Sequence, residues 1–173
     1  MLVRPKALSL FVLLATAPHS NAVCLGPFCV APNNRHRIQI VNQYGPGKVQ
    51  NSGSTLCYVD RRMFISFTLD DHDARNPEVV GVRVGTSPSE FCPSSAPPLR
   101  HFPPLRTEEG IQLGSTENQI VAAYAQKPGY SLKRYPTGAA ALSWKACRDC
   151  AFLSVEVTLN KGRVTELDLD NAE

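Results

Sequence analysis

The clearest hydrophobic pattern in the chain is a strict alternation of apolar and polar positions near its C-terminal end. The apolar members of this run are Leu153, Val155, Val157 and Leu159. Alternation with a period of two predicts a strand, at residues 151–159, that has one face in the core and one face open. Comparable runs predict further strands at residues 130–135, 140–147 and 163–170. Residues 160–162 (NKG) carry a hairpin signal with a glycine for positive φ, so the four strands form an antiparallel meander.

A helix is predicted immediately before this meander. Thr116 and Gln119 have the spacing of a capping box, and Ile120 and Tyr124 belong to an apolar stripe. The stripe stops before the Pro-Gly pair at 128–129, where a helix cannot continue. The C-terminal part of the chain is therefore predicted to be one helix followed by a meander, with the helix covering one face of the sheet.

The N-terminal half repeats the same order of patterns. The matching segments are 40–47 (IVNQYGPG) with 120–129, 64–67 (FISF) with 152–155 (FLSV), and 79–84 (VVGVRV) with 164–169 (VTELDL). Three matches in the same order indicate a duplicated unit. Residues 86–106 hold six prolines and are predicted to be a connector. The predicted fold is α+β, with tandem helix-plus-antiparallel-meander units at residues 23–85 and 107–173 and with helices on one face of the sheet.

The first 22 residues have the layout of a secretory signal peptide. Arg4 and Lys6 precede an eleven-residue apolar run, and small residues suit cleavage after Ala22. The apolar run is too short to span a membrane, and no other segment is apolar enough. Lipid modification of Cys24 is a rival interpretation, although Val23 before it does not fit a lipoprotein leader. Cleavage removes two cations and no acidic residue, which lowers the formal net charge from +3 to +1. We therefore expect a secreted or periplasmic protein that binds no nucleic acid.

Six cysteines follow the predicted cleavage site, which in an oxidising compartment predicts up to three disulfides. Cys24 and Cys29 flank a short turn-like stretch and are predicted to pair locally. Cys147 and Cys150 are predicted to pair between two strands that lie side by side. Elimination then pairs Cys57 with Cys92.

Residues 110–116 (GIQLGST), followed by Ile120, Tyr124 and Pro128, carry a family resemblance. They resemble the signature of domains similar to the beta-lactamase inhibitory protein and to the small outer-membrane assembly lipoproteins. The resemblance implies a short helical segment on an antiparallel sheet, with tandem copies forming a concave protein-binding face. Residues 125–127 (AQK) depart from the usual Gly-x, and the first half lacks the glycine-rich lead-in.

The sequence contains little that supports catalysis or metal binding. The Cys147-x-x-Cys150 spacing invites a redox function, but strand-like sequence surrounds it, whereas a thioredoxin-like site needs a helix N-terminus. The Asp- and His-rich segment 70–73 fits a solvated loop and lacks calcium-loop spacing. No serine-hydrolase, zinc-protease or phosphate-loop motif is present. We expect a protein that is not an enzyme and that uses neither a cofactor nor a metal.

The open face of the sheet is the predicted site of function. Strand parity places Phe64, Ser66 and Phe152 away from the helices, with Arg83 and Glu166 on the same side. The predicted partner-binding residues are Phe64, Ser66, Arg83, Phe152, Glu156 and Glu166. Aromatic side chains flanked by charges are typical of protein-recognition surfaces. We expect a binding or assembly module for another exported protein, of unknown oligomeric state, with a secreted hydrolase inhibitor or a thiol-disulfide enzyme using Cys147 and Cys150 as alternatives.

Overall fold

One antiparallel sheet of eight strands organises the chain. The computed structural model describes residues 23–30, 36–70, 72, 75–86, 92–101, 103–137, 139–145 and 153–171. The strands are β1 Val23–Leu25, β2 Phe28–Val30, β3 Lys48–Gln50, β4 Thr55–Asp60, β5 Met63–Leu69, β6 Val79–Gly85, β7 Ser131–Arg134, β8 Ala139–Lys145, β9 Leu153–Asn160 and β10 Arg163–Asn171. The helices are α1 Arg37–Tyr44 and α2 Glu117–Tyr124, with a 3-10 turn at Asn51–Gly53.

The large sheet has the strand order β3-β4-β5-β6-β10-β9-β8-β7. The strands from the N-terminal half and those from the C-terminal half meet at its centre, where β6 pairs antiparallel with β10 and Val84 lies opposite Leu167. The two helices and this antiparallel sheet confirm the predicted α+β class. Strands β7 to β10 begin and end within about two residues of the predicted strands.

Alternation along the strands decides which side chains form the core. Val155, Val157 and Leu159 of β9 are buried, whereas Glu156 and Thr158 between them are exposed. The same alternation continues across the sheet and gives one apolar face. Its buried members on the other strands include Leu56, Tyr58, Ile65, Phe67, Val82, Val84, Leu142, Trp144, Leu167 and Leu169. Burial at about 25 cal/mol per Å² of apolar surface makes this face the main source of stability.

Both helices pack on this apolar face. Ile40 and Tyr44 of α1 and Ile120 and Tyr124 of α2 belong to the same buried cluster as the strand residues. The ring of Tyr124 stacks on Trp144 with 3.7 Å between the ring centroids, so Trp144 is a core residue.

Each helix begins with a polar cap. Thr116 precedes α2 and accepts a hydrogen bond from the backbone N–H of Gln119 at 3.4 Å, and its own N–H donates to Gln119 Oε1 at 2.8 Å. This reciprocal arrangement is the predicted capping box. At α1 the backbone N–H of His36 donates to Gln39 Oε1 at 2.9 Å.

A small hairpin, β1–β2, covers the centre of the apolar face. Cys24 lies opposite Cys29 in the pairing of the two strands, and a disulfide joins them as predicted. Leu25, Phe28 and Val30 are buried, and the hairpin contacts β6 and β10. It therefore covers the apolar side chains where the two halves of the sheet meet.

The connector passes from one face of the sheet to the other around the β4 edge. Strand β3 pairs only with residues 55–57 of β4, so the edge beyond it is open to another partner. The backbone N–H of Val59 donates there to the carbonyl of Pro97 at 3.0 Å. Leu99 then enters the apolar core, and the N–H of Arg100 donates to the carbonyl of Tyr44 at 3.1 Å. In the described part of the chain, no helix is long and apolar enough to cross a membrane.

Candidate functional site

The face of the sheet opposite the helices, called the open face here, holds the predicted binding residues that the structure describes. Its members are Cys57, Phe64, Ser66, Thr68, Arg83, Ser143, Glu156, Thr158, Glu166, Asp168 and Asp170. Phe152, Cys147 and Cys150 lie outside the described residues. The open face consists of two contrasting areas, one apolar and covered, the other polar and accessible.

The expectation that Phe64 and Ser66 are exposed is wrong. Phe64 retains 1% of its accessible surface and Ser66 retains 5%. Phe64 points away from the helices as predicted, but Cys92 and Ala96 of the connector pack over it together with Cys57. Strand parity determines the face on which a side chain lies, whereas a segment distant in sequence determines whether that face is covered. Phe64 is therefore part of a second small core and is not an aromatic side chain available to a partner.

Gly85 makes room for the ring of Phe64. The two residues lie opposite each other in the β5–β6 pair. A Cβ atom at position 85 would lie 2.4 Å from Cε1 of Phe64, well inside van der Waals contact. The ring therefore occupies the space next to the glycine, beneath the connector.

Arg83 and Glu166, which strand parity places on the same face, contact each other at the centre of the sheet. Arg83 Nε lies 3.5 Å from Glu166 Oε1. A second partner of Arg83, not predicted from the sequence, is Asp168, whose Oδ2 accepts a hydrogen bond from Arg83 Nε at 2.8 Å and also pairs with Nη2. Asp168 lies two residues after Glu166, on the same face, and this alternation was a signal that could have identified it. A guanidinium that bonds the same carboxylate through two nitrogens is held in a fixed orientation.

The pKa values of Arg83 and Glu166 reflect burial and neighbouring charge. Burial alone would lower the pKa of Arg83, but the hydrogen bond to Asp168 and the charges of Asp168 and Glu166 raise it. Burial raises the pKa of Glu166, the charge of Arg83 opposes that change, and the charge of Asp168 adds to it. Arg83 thus stays cationic at the centre of a carboxylate-rich area.

Four carboxylates form the accessible area of the open face, which we call the acidic surface: Glu156, Glu166, Asp168 and Asp170. Glu156 lies opposite Asp168 in the β9–β10 pair, and both Glu156 and Asp170 are exposed. On the described strands of this face, the cationic positions near these four are Arg83, Lys145 on β8, which is in register with Ser154 and Asp170, and Lys133 on the edge strand β7. Serine and threonine side chains lie between the charges, at Ser143 and Thr158. The acidic surface can attract and orient cationic groups.

Among the described residues, the acidic surface contains no cluster of side chains that could bind a metal ion. Within the described ranges, no three His, Cys, Asp or Glu side chains are placed to hold one ion. In the Asp- and His-rich loop, the N–H of His72 donates to Asp70 Oδ1 at 3.0 Å, as in an Asx turn. Asp71 and Asp73 of that loop lie outside the described residues.

Comparison of the chain with protein-family models, with curated proteins and with solved structures found no match. The resemblance to the beta-lactamase inhibitory protein and the assembly lipoproteins thus depends on the segment 110–128.

Proposed function

We propose that this chain is an exported, non-enzymatic binding module whose acidic surface recognises a basic surface of another exported protein. The single observation that carries the proposal is the grouping of Glu156, Glu166, Asp168 and Asp170 on one sheet face around Arg83. The face is formed by hydrogen-bonded strands, so the backbone positions that carry these charges are set before a partner arrives. Preorganised charges increase the association rate and the selectivity for a partner of opposite charge.

Export is the second part of the proposal. The Cys24–Cys29 disulfide supports it, because disulfides persist in secreted and periplasmic compartments and are rare in the cytosol. The signal-like residues 1–22 support it from the sequence. A module that acts outside the cytosol would meet its partner in the envelope or in the surrounding fluid.

The third part is the tandem architecture, with units at residues 23–85 and 107–173 and the connector between them. Several pairs of residues 80 positions apart support it: Gln39 and Gln119 each bond to the N-cap backbone, Ile40 and Ile120 are buried, and so are Tyr44 and Tyr124. In the sheet, β3 to β6 run inward from one edge and β7 to β10 run inward from the other. This order is expected if the two copies of a duplicated unit pair with each other through their last strands, β6 and β10.

The alternative of a hydrolase inhibitor would use the same face and would differ in the class of partner. The resemblance to the beta-lactamase inhibitory protein and the assembly lipoproteins is compatible with both functions, because tandem units in that superfamily bind other proteins. The thiol-disulfide alternative depends on Cys147 and Cys150, and alkylation of those cysteines at neutral pH tests it separately.

The experiment that tests the proposal is a charge reversal on the acidic surface. The wild-type protein, Glu156→Lys and Glu108→Lys are immobilised at equal density and exposed to native envelope extract or culture fluid. Glu108 is exposed on the loop before α2, so it provides a matched surface change away from the open face. We expect wild type and Glu108→Lys to retain the same protein and Glu156→Lys to lose at least 90% of it.

Two further measurements make the result specific. Binding should weaken steeply as ionic strength rises from about 0.05 to about 0.5 M. At the higher ionic strength the interaction between exposed charges is screened over a distance of only a few ångströms. An oligo-lysine peptide should compete with the partner, whereas an oligo-glutamate peptide should not. Equal retention by Glu156→Lys, or competition by the acidic peptide, would show that the acidic surface is not the binding site.

A further inference from the structure

The apolar area of the open face contains a pair of buried cysteines that the proposed function does not use. Cys57 is on β4, Cys92 is on the connector, and neither side chain is accessible to solvent. Both are thiols in the structure, so the disulfide predicted between them is not formed there. The two thiols are hydrogen-bonded to each other, and Cys92 Sγ also lies 3.6 Å from the carbonyl oxygen of Tyr58 and 3.7 Å from that of Ile65. Cys92 is therefore held against the sheet beside Cys57.

The residues around the two cysteines show how a bond between them would hold the connector in place. Phe64 and Ala96 complete the small core around the two cysteines, with Val59 packed against it. The backbone N–H of Val59 donates to the carbonyl oxygen of Pro97, which lies five residues after Cys92. A covalent bond between residues 57 and 92 would close the connector over Phe64 from one end while the Val59–Pro97 hydrogen bond holds the other.

We propose that Cys57 and Cys92 form a disulfide that locks the connector over the open face and keeps Phe64 covered. The Sγ–Sγ bond forms as the two thiols lose two protons and two electrons. A disulfide of an exchange partner, such as oxidised glutathione, accepts the electrons and protons and becomes two thiols. The proposal rests on the proposed export in one respect, because an oxidising compartment supplies that partner.

Formation of the bond must precede final packing of the connector. Hydrogen bonding to Cys92 and burial raise the pKa of the Cys57 thiol, so Cys57 carries little thiolate in the packed state, whereas the same hydrogen bond lowers the pKa of Cys92. No small-molecule disulfide can reach side chains that have no accessible surface. Exchange therefore takes place while the connector is still open, and the same burial protects the finished disulfide from reductants.

The experiment begins with the full chain, reduced and denatured, then refolded in a mixture of reduced and oxidised glutathione. Alkylation in denaturant followed by non-reducing peptide mass spectrometry gives the cysteine pairing. We expect the peptides that contain Cys57 and Cys92 to be joined, with a mass two hydrogens below their sum. Alkylation of both cysteines, or a link from either one to Cys147 or Cys150, would overturn the proposal.

Amide hydrogen exchange at Val59 tests whether the bond holds the connector. We expect exchange at least tenfold faster in Cys92→Ala than in the oxidised wild type, with the amide of Leu167 unchanged in both. The matched control is Cys24→Ala/Cys29→Ala, which removes the hairpin disulfide and should keep slow exchange at Val59. Equal exchange at Val59 in Cys92→Ala and wild type would mean that the disulfide does not hold the connector. Neither measurement involves the acidic surface, so this proposal and the binding proposal can fail independently.

Discussion

Arg83 on β6 donates from Nε to Asp168 Oδ2 on β10 at 2.8 Å, across the strand pair at the centre of the sheet. These residues are 85 positions apart in the chain. The ion pair therefore connects the two halves of the sheet on the face opposite the core. Glu166 shares the same guanidinium, which places two carboxylates and one cation in contact.

Replacing Arg83 with alanine should destabilise the protein by about 1–3 kcal/mol, the usual range for losing hydrogen bonds to a charged group. The loss leaves Glu166 and Asp168 beside each other without a counter-charge. Arg83→Lys keeps the charge but not the two-nitrogen geometry and should recover part of the loss. Urea unfolding of the three proteins gives the free energies. Equal stability of Arg83→Ala and wild type would show that the ion pair contributes little.

Replacing Phe64 with alanine should cost about 3–5 kcal/mol, as for other fully buried aromatic side chains. The reason is that Phe64 fills the small core beneath the connector. Urea unfolding measures the cost. A variant with unchanged stability would mean that Phe64 is exposed in solution.

Gly85→Ala should destabilise the wild-type protein by about 1–3 kcal/mol, because the new methyl group overlaps the Phe64 ring. In a Phe64→Ala background the overlap is gone, so the same substitution should cost less. A double-mutant cycle measured by urea unfolding gives this coupling. Additive effects would show that the two positions do not touch.

Glu166 and Glu109 should change stability with pH in opposite directions. Burial raises the pKa of Glu166 above its usual 4.5, so its stabilising contribution is complete at low pH and is lost as pH rises through the raised value. Burial also favours a higher pKa at Glu109, but hydrogen bonds from Tyr124 and Lys127 lower it below 4.5. Its contribution is therefore present above pH 4.5 and is lost as pH falls.

The measurement is urea unfolding of wild type, Glu166→Gln and Glu109→Gln between pH 3 and pH 8. Glu166→Gln should gain stability relative to wild type as pH rises above about 4.5. Glu109→Gln should lose stability relative to wild type as pH rises over the acidic range. Parallel curves for all three proteins would contradict both assignments.

Replacing the helix cap Thr116 with alanine should cost about 0.5–2 kcal/mol, because the N–H of Gln119 loses its acceptor. Asn118→Ala lies in the first turn of the same helix and is exposed, so it should change stability by less than about 0.5 kcal/mol. Thermal unfolding followed by circular dichroism compares them. Equal effects at the two positions would show that the cap is unimportant.

Local signals in the sequence predicted much of the second half correctly. Thr116 and Gln119 form the predicted cap, Gly162 has the positive φ expected of its hairpin, and Val155 and Val157 are on the buried face. Each of these features depends on residues within a few positions of one another. The β1–β2 hairpin was predicted only as a disulfide-closed loop, because three-residue strands carry too little pattern to identify.

Local residue patterns were enough to predict the α+β class, the strands of the C-terminal meander, the Cys24–Cys29 disulfide and the face on which Phe64, Arg83 and Glu166 lie. What covers that face depends on the packing of distant segments. The connector buries Phe64 and leaves Glu156 exposed, and Asp168 meets a guanidinium 85 residues away. The physical reason is that alternation fixes the direction of a side chain locally, whereas its exposure depends on the path of distant segments, which no local pattern encodes.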